Sequence, residues 1–475
     1  MPQRRGFIAV LSALLLGGLL TPTAEAAPVT ITNGTQFVDT SGQVVHAHGG
    51  GVIKVDSYYY WFGENRNADN TFRAVSVYRS TDLHNWEFRR NVLTQSSDPE
   101  LAVANIERPK VIYNNSTGRF VMWMHKENGS DYGEARAAVA SSATVDGDYT
   151  WHGSFRPLGH MSRDITLFRD DDGTGYMISA ARENADLHVY RLTADYRQVS
   201  TRVHVLWPGS WREAPAMFKR NGVYFLLTSG ATGWAPNQQK YATATSVAGT
   251  WSALANVGDG TAYNSQTAFV LPVQGSQTTS YLYLGDRWAG AWDGRVNDSR
   301  YVWLPLTFPS STSLSMSYAS RLTVDTATGV VTPVTSPAHT FTARHSGKCL
   351  DVPSSSQVTG TQVKQYPCNG GNNQRWEAQG TGDGYYRLVA RHSALCLDVD
   401  GQSTADGALV KQWTCGSGAN QQWQFQDAGS GYVRVVARHS GKCLDVVSAS
   451  TADGALIKQY ACNGGNNQQW SRAGA

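Results

Sequence analysis

Between residues 28 and 330 the apolar positions form short runs separated by tight turns, with little of the periodicity that a helix requires. One unit occurs five times: a polar residue, an apolar strand, a turn and an aromatic-rich strand. The polar residues are His48, Glu107, Asp164, Glu213 and Gln266, at intervals of 59, 57, 49 and 53 residues. An all-β repeat of about 50 residues is typical of a propeller blade, so the pattern predicts a five-bladed β-propeller.

In a propeller the first strand of each blade lies at the central axis, and a polar residue at its start faces the central funnel. The repeats therefore predict one site where these five side chains meet from distant parts of the chain. A β-sandwich with scattered surface acids is the alternative architecture.

The last third of the chain carries a stricter repeat. The segments ARHSGKCLDV, ARHSALCLDV and ARHSGKCLDV begin at Ala343, Ala390 and Ala437, and each repeat closes with an Asn-Gln pair and a Trp. The six cysteines all lie here, at Cys349, Cys368, Cys396, Cys415, Cys443 and Cys462. Many pairings are possible, but the 47-residue period favours one disulfide within each repeat, between cysteines 19 residues apart. A zinc site would require short cysteine spacings, and none occurs.

Two further segments suggest the organisation of the whole chain. Two arginines precede an apolar run over 7–20, and small residues follow at 24–26, so residues 1–27 are predicted to be a signal peptide. A membrane anchor is the alternative. With the paired cysteines, this signal predicts an extracellular protein. The Pro/Thr/Ser-rich segment 331–340 predicts a linker between domains at 28–330 and 341–475.

Charge and composition narrow the choice of partners. The net charge is only +3 and no cationic run occurs, which argues against nucleic acid and membrane surfaces as partners. The chain holds 15 Trp and 22 Tyr. Most of these rings are expected to pack β-rich cores, and some are expected to stack on sugars.

The C-terminal repeats resemble the ricin-B-type β-trefoil of the family 13 carbohydrate-binding modules. The resemblance implies one shallow pocket per repeat, where Asp accepts sugar hydroxyls, a ring stacks on the sugar, and Lys and Asn donate. The implied residues are Asp351, Lys364, Tyr366 and Asn373, then Asp398, Lys411, Trp413 and Asn420, then Asp445, Lys458, Tyr460 and Asn467. A turn-capping role is the alternative for each Asp. The closing tryptophans at 376, 423 and 470 are expected in the core.

The N-terminal repeats resemble glycoside hydrolase family 43. The resemblance rests on the STDLHNW loop at 80–86, the DDDG run at 170–173 and the acids before the inner strands. The DDDG run lacks EF-hand spacing and is predicted to be a hairpin turn rather than a calcium site. The segment at 46–66, HAHGGGVIKVDSYYYWFGENR, is similar to the exo-β-1,3-galactanase subgroup. Most family members begin the first inner strand with an Asp that acts as general base, whereas here His48 is followed by three glycines.

Glycoside hydrolysis needs a proton donor at the leaving oxygen and a group that activates or replaces water at the anomeric carbon. The resemblance implies that Glu213 is the general acid and that Asp164 orients it or tunes its pKa. It places Gln266 where the nucleophilic water is held. Glu107 is the competing base, and otherwise binds sugar hydroxyls.

The resemblance also implies that Glu64 and Tyr132 contact galactose, and the predicted substrate-binding set further includes His48, Thr232 and Trp234. Neither a metal nor another cofactor is expected. The sequence thus predicts a secreted, monomeric, inverting exo-β-1,3-galactanase that releases galactose from the β-1,3-galactan of arabinogalactan. An α-L-arabinofuranosidase or β-xylosidase of the same family is one alternative, which the missing first-blade Asp disfavours. A catalytically inactive carbohydrate-binding protein is another.

Overall fold

The computed structural model describes residues 27–334 and 336–474, so the predicted signal peptide lies outside the described residues except for Ala27. Over these ranges the regular structure consists of β-strands and short 3-10 helices. None of the described helices is long and apolar enough to cross a membrane. The 3-10 helices are Pro99–Leu101, Pro157–Gly159, Ala289–Trp292, Val296–Asp298, Pro353–Ser355, Asn372–Gln374, Asp400–Gln402, Ala419–Gln421, Val447–Ala449 and Asn466–Gln468.

After strand β1 (Val29–Thr32), the N-terminal region forms five antiparallel sheets of four strands. The first two contain β2 (His48–Val55), β3 (Tyr58–Arg66), β4 (Phe72–Ser80) and β5 (Glu87–Thr94), then β6 (Asn105–Asn114), β7 (Arg119–Glu127), β8 (Arg136–Ser142) and β9 (Thr150–Phe155). The third contains β10 (Ile165–Arg169), β11 (Gly175–Ala181), β12 (Asp186–Leu192) and β13 (Val199–Leu206). The last two contain β14 (Arg212–Arg220), β15 (Val223–Gly230), β16 (Lys240–Ala244) and β17 (Ala255–Asn256), then β18 (Gln266–Gln274), β19 (Thr279–Arg287), β20 (Arg300–Thr307) and β21 (Ser315–Met316).

The first strands of these sheets surround a single axis. Each contacts the first strand of the next sheet, and β18 returns to contact β2, which closes the ring. Strand β1 pairs with β22 (Arg321–Asp325), which pairs in turn with β23 (Val330–Val334). The ring confirms the predicted all-β propeller. Each blade begins at its predicted polar residue or within two positions of it.

The DDDG run forms the predicted hairpin turn between β10 and β11. The Asp170 carboxylate accepts a hydrogen bond from the Tyr224 hydroxyl at 2.6 Å and pairs with Lys219 Nζ at 2.8 Å. Its charge is therefore balanced within the protein, by a side chain of the next blade.

The C-terminal region forms one continuous sheet system whose strands recur in the three repeats. The strands are β24 (Ala338–Ala343), β25 (Cys349–Asp351), β26 (Lys364–Tyr366), β27 (Trp376–Gly380), β28 (Tyr386–Ala390), β29 (Cys396–Val399), β30 (Val410–Trp413), β31 (Gln422–Gly429), β32 (Tyr432–Ala437), β33 (Cys443–Val446), β34 (Ile457–Tyr460) and β35 (Trp470–Gly474). Strand β35 pairs with β24 and joins the last repeat to the first. As predicted, Trp376, Trp423 and Trp470 are fully buried in the core.

Three disulfides connect Cys349 to Cys368, Cys396 to Cys415, and Cys443 to Cys462. Each closes a loop of 19 residues within its own repeat. The structure therefore confirms the pairing that the 47-residue period favours.

The prediction of a linker over 331–340 is wrong. Residues up to Val334 belong to β23, and residues from Ala338 onward belong to β24. Pro333 lies on β23, the edge strand of its sheet. Proline lacks a backbone N–H, and an edge strand tolerates this better than a central strand does. The Pro/Thr/Ser-rich composition therefore marks an edge strand.

Candidate active site

The inner strands bring their first residues to one end of the ring, and four of the five contain a β-bulge there. The register shifts lie between His48 and Gly51, Glu107 and Lys110, Glu213 and Ala216, and Thr267 and Phe269. The residue after the polar one has a left-handed φ in three blades: 62° at Gly49, 52° at Arg108 and 50° at Ala214. A bulge re-aims the adjacent side chain, and here Glu107, Glu213 and Gln266 reach the axis beside one.

A cavity of about 370 Å³ lies at this end of the axis. Seven predicted site residues line it: Glu64, Glu107, Tyr132, Asp164, Glu213, Trp234 and Gln266. The sequence analysis assigned no role to eight other lining residues: Arg66, Arg108, His125, Arg163, Glu183, Asn184, Trp211 and Trp288. The wall is therefore built from carboxylates, guanidinium groups and aromatic rings, which can bind and polarise a sugar.

Glu213 is 7% exposed and has two amide neighbours. Asn184 Nδ2 donates to its Oε2 at 2.9 Å, and Gln266 Nε2 donates to its Oε1 at 2.9 Å. Burial, followed by the nearby charge of Asp164, raises the pKa of Glu213 to about 8. The side chain is therefore protonated at neutral pH, as a general acid must be.

Gln266 is held on both sides of its amide. Arg108 Nη2 and Trp288 Nε1 donate to Oε1 at 2.5 and 2.7 Å. Both groups can only donate, so they fix which end of the amide is oxygen. The Nε2 group then faces Glu213 and the Ser229 hydroxyl, which lies at 3.0 Å.

Arg108 connects Asp164 to Gln266 and to the fifth blade. Its Nε lies 2.8 Å from Asp164 Oδ1, and its Nη1 donates to the Thr267 carbonyl at 2.9 Å. Asp164 Oδ2 accepts the backbone N–H of Ala214, the residue after Glu213, at 3.0 Å. Asp164 thus positions the backbone that carries Glu213 and places a negative charge near it.

Glu107 is tied to three donors. Arg66 Nη2 and the Tyr132 hydroxyl each donate to its Oε1 at 2.7 Å, and His125 Nδ1 lies 3.1 Å from Oε2. Burial opposes ionisation of Glu107, but the charge of Arg66 and the hydrogen bond from His125 outweigh it and lower its pKa. A carboxylate held this firmly in its ionised form is a weak base.

The prediction that His48 contacts substrate is wrong. The ring is fully buried; its Nδ1 lies 2.8 Å from Asp286 Oδ1, and the ring stacks on Tyr301. Glu64, opposite His48 on β3, lines the cavity instead. A Cβ built on Gly49 would lie only 2.3 Å from Glu64 Oε1, so the first glycine makes room for this carboxylate.

The predicted role of Thr232 is also not supported. Its hydroxyl donates to the Ala235 carbonyl at 2.6 Å, while its neighbours Ala231 and Gly233 line the cavity. Trp234 lines the cavity as predicted, and packs edge-on against Trp288. Trp211, which is 54% exposed, adds a second exposed ring at the rim, two residues before Glu213.

The cavity does not continue through the ring. A second cavity lies farther along the inner strands, lined by Val52, Val111 and Phe269 among others. Between the two, Lys110 is 1% exposed and its Nζ donates to the Gly49 carbonyl at 2.5 Å. A Cβ built on Gly51 would lie 2.7 Å from Lys110 Cδ, so the glycine run also admits this side chain. The active-site cavity is therefore a blind pocket.

Glu107, His125 and Asp164 have potential metal-ligand atoms within 4.8 Å of one another. Arg66 and Arg108 already balance the two carboxylates. His125 lies between Glu107 and Glu127, whose hydrogen bonds outweigh burial and raise its pKa to about 9. In the structure these side chains form an ion-pair network with Arg66 and Arg108.

In the trefoil, each predicted Asp accepts hydrogen bonds from the Asn and the Gln that close its repeat. Asn373, Asn420 and Asn467 donate at 2.8 Å to Asp351, Asp398 and Asp445. Gln374, Gln421 and Gln468, which the sequence analysis did not assign, donate to the same oxygens. Each Asn also donates to a backbone carbonyl. Both amide hydrogens are thus used, and the predicted donation from Asn to a sugar is not supported.

The predicted aromatic residues of the trefoil are exposed: Tyr366 by 47%, Trp413 by 42% and Tyr460 by 37%. Lys411 Nζ lies 3.9 Å from the centre of the Trp413 ring, and Lys458 Nζ lies 4.3 Å from that of Tyr460. Burial raises the pKa of all three aspartates. Each repeat therefore presents an exposed ring, as the resemblance implies, while its Asp is buried beneath the surface.

Comparisons with known proteins agree with this architecture. Residues 48–262 match the glycosyl hydrolases family 43, and residues 338–473 match the ricin-type β-trefoil lectin domain. An exo-β-1,3-galactanase from Clostridium thermocellum is 50% identical, with 94% of this chain and 100% of that chain covered and a TM-score of 0.66. An exo-β-1,3-galactanase from Phanerochaete chrysosporium with galactose is 29% identical, over 94% and 93% of the two chains, with a TM-score of 0.64.

A curated xylan 1,3-β-xylosidase from Vibrio sp. is 23% identical over 200 residues, and the match spans only 35% of that protein. The match to the bacterial galactanase is full-length and half identical, and the family 43 match covers four of the five inner strands. The chain therefore belongs to glycoside hydrolase family 43, and its propeller is followed by a ricin-type β-trefoil.

Proposed function

We propose that the protein is an inverting exo-β-1,3-galactanase that releases galactose from the end of a β-1,3-galactan chain. The observation that carries the proposal is a buried Glu213 whose pKa is raised to about 8 and whose carboxyl group accepts a hydrogen bond from the Gln266 amide in the same pocket. The full-length similarity to an exo-β-1,3-galactanase supports the substrate.

Exo action follows from the shape of the pocket. Lys110 closes the axis below the acids, so a polysaccharide cannot thread through the ring. Only a chain end fits a blind pocket, and the rest of the chain must leave past the rim. A single sugar unit at the bottom of the pocket would place its glycosidic bond near Glu213.

Glu213 protonates the leaving oxygen, and the bond to the anomeric carbon breaks while water attacks from the opposite face. The attacking water releases one proton to solvent, and Glu213 takes up a proton from solvent before the next turnover. We assign the positioning of this water to Gln266. The positively charged guanidinium group of Arg108 donates to Gln266 Oε1 and polarises the amide. Glu107, whose pKa is lowered, binds sugar hydroxyls together with Glu64 and Tyr132.

The trefoil binds the same polysaccharide through up to three sites, one per repeat. The exposed ring of each repeat supports this role, and so does the ricin-type family match. A structure of the Phanerochaete galactanase with β-1,3-galactotriose, 28% identical to this chain, supports a galacto-oligosaccharide ligand. The three disulfides support export to an extracellular location, and we propose a monomer.

The experiment is product analysis after incubation with linear β-1,3-galactan and, in parallel, with arabinan and xylan. Galactose as the sole early product, from galactan alone, is expected. Arabinose or xylose would reassign the substrate within the family. Polymer binding without any product would instead favour a catalytically inactive carbohydrate-binding protein.

A further inference from the structure

The three trefoil repeats differ at one solvent-side contact. Lys348 Nζ pairs with Asp453 Oδ1 at 2.6 Å, and Lys442 Nζ pairs with Asp406 Oδ1 at 2.7 Å. Each bridge joins the Gly-Lys turn of one repeat to the loop of the neighbouring repeat. A shift of 47 residues places the third bridge between positions 395 and 359, which hold Leu395 and Thr359. Both charges of the third bridge are therefore missing.

The propeller docks on this altered face. Arg300 donates through Nη1 to the Ser393 carbonyl and through Nη2 to Thr359 Oγ1, both at 3.4 Å. A Cβ built on Gly34 would lie 2.8 Å from Ala394 Cβ, which shows how closely the two domains approach. Leu395 is 3% exposed, whereas Lys348 and Lys442 remain about one-fifth exposed. The paired loss of Lys and Asp thus removes two charges from a domain interface.

The docked face lies near the active-site end of the fifth blade. Gln266, at the start of β18, pairs with Asp286 on β19, and the next residue of β19, Arg287, pairs with Arg300 on β20. Two strand spacings, about 10 Å, therefore separate the backbone at the pocket from the backbone that holds the trefoil.

The second sugar site borders this interface. The Gly360 N–H, next to Thr359, donates to the Gln412 carbonyl at 2.8 Å, and a Cβ built on Gly360 would lie 3.3 Å from the Trp413 ring. At the equivalent place beside Tyr460, Asp406 of the second repeat accepts the N–H of Ala461 and pairs with Lys442 of the third repeat, entirely within the trefoil. Trp413 is thus the one of the three rings whose neighbouring loop is held by the propeller.

We propose that the second trefoil site and the active-site pocket bind one galactan chain together, because the propeller contacts the trefoil at the loop beside Trp413 and at the start of the second repeat. The inference rests on the proposed galactanase function. The pocket holds the chain end, and the chain that leaves past the rim reaches Trp413. The sites of Tyr366 and Tyr460 bind other chains or branches.

The test compares the full-length variants Trp413→Ala, Tyr366→Ala and Tyr460→Ala. The readout is kcat/KM on long β-1,3-galactan divided by kcat/KM on β-1,3-galactobiose. We expect Trp413→Ala to lower this ratio about five-fold, the loss of one good ring contact, and the two Tyr variants to lower it less than about two-fold. Equal effects of the three substitutions would overturn the inference.

A second variant tests the docking itself. Thr359→Asp combined with Leu395→Lys recreates the charged pair that the other two repeats carry, so the trefoil is expected to fold normally. We expect X-ray scattering to show a larger radius of gyration, because two charges now enter the interface. The substrate ratio should fall to the value of Trp413→Ala, and adding Trp413→Ala should change it no further. An unchanged radius and ratio would contradict the proposal.

Failure of the proposed function gives a different result. In that case the unmodified protein releases no galactose from either substrate, and the inference fails with it. If galactobiose and galactan are both hydrolysed but the three ring variants give the same substrate ratio, the inference alone is wrong.

Discussion

The propeller and the trefoil both arise from repeats, but they use repetition in opposite ways. The five blades contribute different residues to one pocket, and each has a distinct partner, such as Arg66 for Glu107 and Arg108 for Asp164. The three trefoil repeats contribute nearly the same residues to three separate sites, with the same Asn–Asp distance of 2.8 Å in each. Divergence between repeats produced one pocket with five different inner-strand residues, whereas near-identity between repeats produced three similar surfaces.

This difference predicts how each region tolerates a substitution. A residue of the pocket has no copy elsewhere, so its loss should remove a step of the reaction. A residue of one trefoil site has two equivalents, so its loss should weaken binding to a polymer only in part.

The largest effect is expected from Glu213→Gln. The amide keeps the size of the side chain but cannot protonate the leaving oxygen, so kcat on β-1,3-galactan should fall by about 10³-fold. Steady-state kinetics with galactobiose would measure the fall in kcat. Calorimetry with the same sugar would measure whether binding is kept. Glu100→Gln, an exposed carboxylate that does not line the pocket, is the matched control. Normal turnover by Glu213→Gln would exclude it as the acid.

The next largest effect distinguishes Gln266 from Glu107. If Gln266 positions water, Gln266→Ala should lower kcat about 10²-fold with a small change in KM. Glu107→Gln removes the negative charge that pairs with Arg66 and should mainly raise KM. The opposite result, a lowered kcat for the Glu107 variant and a raised KM for the Gln266 variant, would identify Glu107 as the base.

A smaller effect is expected in the pH dependence. The pKa of Glu213 is raised to about 8, so its protonated form is lost as pH rises through that value. The kcat/KM profile should therefore fall on its basic side near pH 8. Asp164→Asn removes a negative charge that helps raise this pKa and should move the basic limb to lower pH. A basic limb that does not move would show that Asp164 does not raise the pKa of the acid.

The trefoil site residues were implied by the resemblance to ricin-B-type trefoils, and the strict period relates each of them to the equivalent positions in the other repeats. The sequence analysis missed the role of the closing Gln residues. It also missed that each Asn uses both amide hydrogens within its own repeat, since such hydrogen bonds leave no periodic signal. In the propeller, the polar starts of four inner strands were enough to locate Glu107, Asp164, Glu213 and Gln266. The guanidinium groups were missed, although Arg108 follows Glu107 directly in the chain.

His48 shows why the rest could not be predicted. It begins an inner strand as the pattern requires, yet Asp286 holds its ring inside the core. The pocket instead receives Glu64 from the next strand, since Gly49 lacks the side chain that would occupy the same space. The three glycines were the available signal, because a glycine run in a strand often marks a close approach of another group.

The smallest effect is expected from Tyr366→Ala, and it tests the trefoil half of the comparison. Removing one of three equivalent rings should weaken binding to insoluble β-1,3-galactan only a few-fold, because the remaining sites still hold the polymer. Tyr366→Ala combined with Tyr460→Ala should weaken binding by more than the product of the two single losses, since one remaining site gains nothing from multivalency. Binding isotherms on the polymer measure this, and affinity for free galactose per intact site should stay constant. A double variant that binds only about three-fold more weakly would show that the three sites contribute independently, and repetition in the trefoil would then give no multivalent advantage.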